Sequence, residues 1–103
     1  MLSKRFFKTI DEVEVTFEVQ RPDADKVEWV ADATGWSPME MKRSNRGKGP
    51  WKLKVRLPKD RPVQFRYRFD EAEWDNDEAA DAYWPNDMGS DNSVVLTGSS
   101  VIG

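Results

Sequence analysis

Two tryptophans occupy positions where a small domain has little structural use for them. Trp36 follows the turn signal Thr34-Gly35 and precedes Ser37-Pro38, which places it in a loop. Trp74 lies in Asp70-Glu71-Ala72-Glu73-Trp74-Asp75-Asn76-Asp77, among polar and acidic neighbours. An indole in such company offers a flat apolar face and an N–H donor. That pairing suits a ligand that is half apolar and half wet: a sugar ring best, a nucleic-acid base or a protein side chain less well. The acidic cluster Asp70, Glu71, Glu73, Asp75, Asp77 and Glu78 raises a second chemistry. Glycoside hydrolysis needs two carboxylates facing across a cleft, about 5 Å or about 6.5–9.5 Å apart. No cleft scaffold accompanies these residues, and such a cluster reads as a solvated loop. Asp75, Asp77 and Asp81 suggest calcium, but the spacing lacks the glycine and terminal glutamate of an EF-hand loop. The chain has no histidine and no cysteine, so the group that titrates near neutrality, the commonest transition-metal ligand and all thiolate chemistry are missing. The expectation is a protein that is not an enzyme and uses no metal or cofactor.

The elements that position these residues read as β almost throughout. Val13, Val15, Phe17 and Val19 alternate with Glu12, Glu14, Thr16 and Glu18, which is the pattern of a half-buried strand. Val27, Trp29 and Val30 carry a second strand. Trp51, Leu53, Val55 and Leu57 alternate with Lys52, Lys54 and Arg56, and Val63, Phe65, Tyr67 and Phe69 with Gln64, Arg66, Arg68 and Asp70. Ser93–Thr97 forms a closing strand, and Phe6-Phe7 belongs to an opening one. Ser44–Pro50 is a loop by composition, Leu57–Pro62 a hairpin-like connection, and Ala79–Ala82 one helical turn at most. Phe17, Trp29, Trp51, Phe65, Tyr67 and Phe69 fall on apolar phases and are assigned to the core. Trp36, Trp74, Tyr83 and Trp84 belong to no such phase, and Arg66 and Arg68 face outward. About seven short strands with Gly, Pro and Asn turns predict one antiparallel β-sandwich spanning 1–103.

Of the 103 residues, 38% are hydrophobic, enough for a folded single domain. The net charge of −3 conceals an asymmetry. Lys4 to Arg68 holds all 16 basic residues against 10 acidic ones, a balance of +6, while Asp70 onward has nine acidic residues and no basic one. Pairing between the halves is expected to offset these charges. An opposed basic face argues against nucleic acid. No apolar leader or run of roughly 18 apolar residues is present, so no membrane partner is expected and a soluble cytoplasmic location is.

From Val13 to about Thr97 the chain resembles the carbohydrate-binding modules of family 48. These occur as the isoamylase N-terminal, or early-set, domain and as the glycogen-binding domain of the AMP-activated protein kinase β subunit. The resemblance rests on an ordered set: Ala31-Asp32-Ala33-Thr34-Gly35-Trp36, Met41-Lys42-Arg43, Trp51 to Leu57-Pro58, Phe65-Arg66-Tyr67, Asp70, Trp74 to Asp77, and Met88-Gly89-Ser90-Asp91-Asn92. It implies an immunoglobulin-like sandwich of the early-set type over 13–97, with a short tail at 98–103. It implies a non-catalytic module for an α-1,4-glucan polysaccharide or malto-oligosaccharide, with a glycogen-metabolising enzyme as a further partner. Trp36 and Trp74 would stack on glucose rings, Arg66 and Asn92 would meet hydroxyls, and Met88 and Ser90 would adjoin them. The alternative is an early-set domain that has no sugar site and serves protein–protein contacts. The chain departs from the family pattern at Ala31, Ala33 and Thr34, where Gly, Phe and Asn are usual, so the first turn is expected to close differently. Arg66 replaces Lys, Glu78 replaces Pro, and one residue is added before Trp74.

Overall fold

The computed structural model describes residues 2–43 and 49–98, and within them ten strands form two antiparallel sheets. In chain order these are β1 (Leu2–Phe6), β2 (Glu12–Val19), β3 (Val27–Ala31), β4 (Met39–Glu40), β5 (Lys42–Arg43), β6 (Trp51–Pro58), β7 (Pro62–Phe69), β8 (Glu73–Asp75), β9 (Ala82–Pro85) and β10 (Asp91–Leu96). One sheet runs β1-β2-β6-β5 and the other β4-β3-β7-β10-β9, with β8 also paired to β7. The fold is the antiparallel sandwich expected from the alternating patterns, and its arrangement is consistent with the immunoglobulin-like class. The four strands beyond the predicted set, β4, β5, β8 and β9, have two to four residues each. Elements this short carry too few residues to show a period.

The apolar phases face each other across the sandwich. Phe17 of the first sheet has its ring centroid 4.8 Å from both Trp29 and Phe65 of the second. All six aromatic residues assigned to the core are buried. Leu53 and Val55 pack against that core while remaining partly exposed. Trp51 settles its indole N–H on the Arg21 carbonyl at 3.1 Å, whereas the buried Trp29 Nε1 finds no acceptor among the described residues.

Charge offsets run between the chain's halves as expected. Lys4 meets Asp81 at 2.6 Å, Arg21 meets Glu73 at 3.6 Å, and Lys26 meets Glu71 at 3.4 Å. Within the first half, acidic β2 lies beside basic β6, and Glu18–Lys52 and Glu12–Arg56 pair across the strands.

Several local expectations are corrected. The Leu57–Pro62 segment is not a hairpin: β6 pairs with β2 and β5, β7 pairs with β3, β8 and β10, and the link crosses between sheets. Pro58 and Pro62 flank the crossing and have no N–H for a mutual ladder. Thr97 holds the crossing, accepting the Arg61 N–H at its Oγ1 at 2.8 Å and the Asp60 N–H at its carbonyl at 3.0 Å. Trp74 lies on β8 rather than in a loop, and Tyr83 and Trp84 lie on β9. Ala79–Ala82 forms no helical turn, since Ala82 opens β9; the one short 3-10 turn described is Asp32–Thr34. The closing strand is Asp91–Leu96, two residues earlier than Ser93 at its start. The loop expected at Ser44–Pro50 falls at 44–48 outside the described residues, as does the tail from 99. No helix among the described residues is long and apolar enough to cross a membrane.

Candidate functional site

The first wall of the site is a turn that leaves β3 at Ala31. Gly35 and Trp36 both adopt left-handed backbone, with φ of 65° and 64°. Gly35 takes this conformation freely; a bulky residue such as Trp36 does so at a cost of about 1–2 kcal/mol. The turn holds through the Gly35 N–H to the Asp32 carbonyl at 3.0 Å and the Trp36 N–H to the Ala31 carbonyl at 2.8 Å. Thr34 Oγ1 lies 3.1 Å from the Ala31 carbonyl and 3.0 Å from that of Ser37. Asp32 Oδ1 accepts the Gln64 N–H at 3.2 Å and ties the turn to β7. These bonds close the turn and leave Trp36 45% exposed.

The second wall comes from the β7–β8 hairpin. Asp70 and Glu71 both have positive φ, 52° and 57°, the backbone of a type I′ turn, and the Ala72 N–H returns to the Phe69 carbonyl at 3.0 Å. Asp70 Oδ1 also accepts the N–H groups of Asp25 at 2.7 Å and Lys26 at 2.9 Å. The register sets Trp74 opposite Arg68, on the outer face that also carries Arg66. The guanidinium carbons of Arg66 and Arg68 lie 5.9 and 5.5 Å from the Trp74 ring centroid, within cation–π range.

The two arginines differ in what else they meet. Arg68 places Nε 2.8 Å and Nη2 2.7 Å from Glu28 Oε1, and Glu28 is buried. Arg66 makes no ion pair among the described residues, and its buried Nε has no hydrogen-bond partner. Its contact among the described residues is with the Trp74 ring.

Trp36, Arg66 and Trp74 open onto one groove of about 700 Å³, with Gln64 on its floor and the 85–88 segment along its side. Asn86 organises that segment. Its Oδ1 accepts the N–H groups of Met88 at 2.9 Å and Ser90 at 3.1 Å, and its own N–H donates to the Ser90 carbonyl at 2.8 Å. Its Nδ2 donates to Asn92 Oδ1 at 3.1 Å, and Asn92 Nδ2 donates in turn to Gln64 Oε1 at 3.1 Å. A chain of three amides thus fixes the side of the groove to its floor. Met88 stands 86% exposed at the rim, while Asn92 is only 7% exposed.

Five of the six residues singled out from the sequence, Trp36, Arg66, Trp74, Met88 and Asn92, line this groove. Ser90 does not line it; its backbone supports the Asn86 turn. Asn92 is largely withdrawn between its two amide neighbours. Gln64 and Asn86 were missed. Gln64 shares the outward phase of Arg66 two residues away, so strand periodicity held the signal for it. Asn86 carries no signal beyond sitting in a turn.

A smaller concavity, about 400 Å³, lies at one end of the sandwich between the β2 end and the 75–79 segment. There the Tyr67 hydroxyl donates to Asp77 Oδ2 at 2.6 Å, Asp77 Oδ1 accepts the Ala79 N–H at 2.8 Å, and the Tyr83 hydroxyl donates to the Asp77 carbonyl. Burial first, and the Asp77 carboxylate second, push the Tyr67 hydroxyl well above the ordinary tyrosine range. Asp75 reaches Arg21 and Asp81 reaches Lys4, so the three aspartates considered for calcium serve separate partners. No group of three acidic, His or Cys residues among the described ones is arranged to hold a metal ion.

Neither models of known protein families nor curated protein sequences yield a match to this chain.

Proposed function

We propose that the groove is a non-catalytic binding site for an α-1,4-glucan chain, as the resemblance to family 48 modules implies. The observation that carries this reading is the pair of half-exposed indoles, Trp36 and Trp74, opening onto one concavity with Arg66, which has no ion pair among the described residues. Indole faces cover the apolar C–H surfaces of a sugar ring. Arg66 and the amides of Gln64 and Asn86 supply donors and acceptors for hydroxyl pairs. The groove lining brings in one carboxylate, Asp87, where hydrolysis of a glycosidic bond requires two. An open platform of this kind binds weakly, at roughly −4 to −8 kcal/mol, or millimolar to micromolar per site.

An NMR titration with maltoheptaose tests it. Saturable shifts concentrated on Trp36, Arg66, Trp74 and the 85–92 segment are expected. Their absence at millimolar ligand refutes the reading, and it then leaves the exposed indoles to a protein partner, which a pull-down without added glycan would reveal.

A further inference from the structure

We propose that Trp84 is a third stacking surface, which lengthens the groove across the sheet and makes the site selective for longer chains. This rests on the glucan reading above. Trp84 pairs directly with Asn92 in the β9–β10 register, so the two side chains share a face. The pairing of Ser93 with Phe65 puts Asn92 on the face opposite the core, and one further step in that register brings Asn92 beside Arg66. Arg66, Asn92 and Trp84 therefore form a row across three adjacent strands. The Trp36 turn adjoins β3 on the other side of β7, bonded to the Ala31 carbonyl.

At about 4.8 Å per strand step, the row from β3 to β9 spans about 14 Å. That span is filled by several linked sugar rings but not by one or two. Asn92, the direct cross-strand partner of Trp84, already lines the groove, so Trp84 stands at its edge rather than forming a separate patch.

No polar or ring contact among the described residues accounts for Trp84 where it stands. It is 39% exposed on an edge strand, and among the described residues its ring stacks on no other ring or guanidinium and its indole N–H has no acceptor. Tyr83 beside it, by contrast, is held through its hydroxyl to Asp77. A large apolar ring with a free N–H, next to an amide and a guanidinium, repeats the chemistry of the Trp36–Trp74 pair.

The test measures maltose and maltoheptaose affinity for the wild-type chain, Trp84→Ala and Trp84→Phe. Losing one aromatic contact is worth about a two- to twelvefold change in affinity. Trp84→Ala is expected to lose that factor for maltoheptaose and nothing for maltose, and Trp84→Phe to recover most of it. In the wild-type chain the Trp84 indole N–H signal should shift with maltoheptaose and stay still with maltose, a readout that needs no variant. Equal maltoheptaose affinity in Trp84→Ala overturns the inference, as does an equal loss for both sugars. If the wild-type chain binds neither sugar, the glucan reading fails and the third surface fails with it.

Discussion

Arg66 and Arg68 lie two residues apart on one strand face, beneath the same indole, yet the structure assigns them opposite dependencies. Arg68 neutralises a buried carboxylate: Glu28 is 6% exposed and shares one oxygen with Arg68 Nε and Nη2. Replacing Arg68 with Met strands that charge, with Lys26 Nζ 3.8 Å away as the remaining cation. Breaking a buried pair costs about 3–5 kcal/mol. Because Arg68 is itself partly exposed and Lys26 remains, about 2–3 kcal/mol is expected here. Arg66→Met strands no charge, since Arg66 has no acidic partner among the described residues and loses only its contact with the Trp74 ring; stability should change by no more than about 0.5–1 kcal/mol. What Arg66→Met removes is the charged donor facing the groove. A hydrogen bond to a charged group is worth about 1.5–3 kcal/mol, so maltoheptaose affinity should fall by about 10- to 150-fold. Urea denaturation and calorimetric titration on the two variants measure both quantities. If Arg66→Met destabilises the fold as much as Arg68→Met, or binds maltoheptaose as the wild type does, the assignment of an unpaired arginine to ligand recognition is wrong.

Three further outcomes are expected. Tyr67 stays neutral in the fold well past the pH at which an unfolded tyrosine ionises near 10, so its contribution is complete below pH 10 and is lost above it at about 1.4 kcal/mol per pH unit. Tyr67→Phe should be less stable at pH 7 by about 1–3 kcal/mol, through the donor lost to Asp77, and should show a shallower decline from pH 10 to 11 in urea titrations. Glu71→Gly relieves a left-handed glutamate but also removes its exposed ion pair with Lys26; measured against Glu71→Ala, which loses the same pair and keeps the strain, it should be more stable by about 0.5–1 kcal/mol, read as a higher Tm, and an equal or lower Tm counts against the strained turn. Asn86→Ala should raise amide exchange at Met88 and Ser90 and weaken maltoheptaose binding. Unchanged exchange at both would show that this side chain does not hold the turn.

The core was legible in the sequence because strand alternation reports burial directly: Phe17, Trp29, Phe65, Tyr67 and Phe69 could face only one way. The same alternation turned Arg66 outward and separated Trp36 and Trp74 from the core aromatics. It failed at β8 and β9. Trp74 is held by pairing with Arg68 and by a turn built from Asp70 and Glu71 without glycine, so the local sequence resembles a loop while the tertiary partner makes a strand. Trp84 was left unassigned for a related reason. Edge residues exposed on both faces carry no polarity period, and only the register with Asn92 shows which face it shares. The sheet crossing after Pro58 was hidden because two prolines near a short link look alike whether the chain turns back or crosses over. Asn86 could not be found at all from sequence, since its role comes from where Asn92 and Gln64 lie in space.

The amide chain from Asn86 through Asn92 to Gln64 has a consequence for the conditions under which the groove works. Beside the indoles the groove is lined by amides, the Arg66 guanidinium and the Asp87 carboxylate, and the chain contains no histidine. Histidine, the side chain whose ordinary titration falls near neutrality, is therefore not among its groups. Under the proposed glucan reading, occupancy would follow how much ligand is present and how long its chain is. A glucan bound there as proposed would therefore meet no histidine whose protonation could switch its hold.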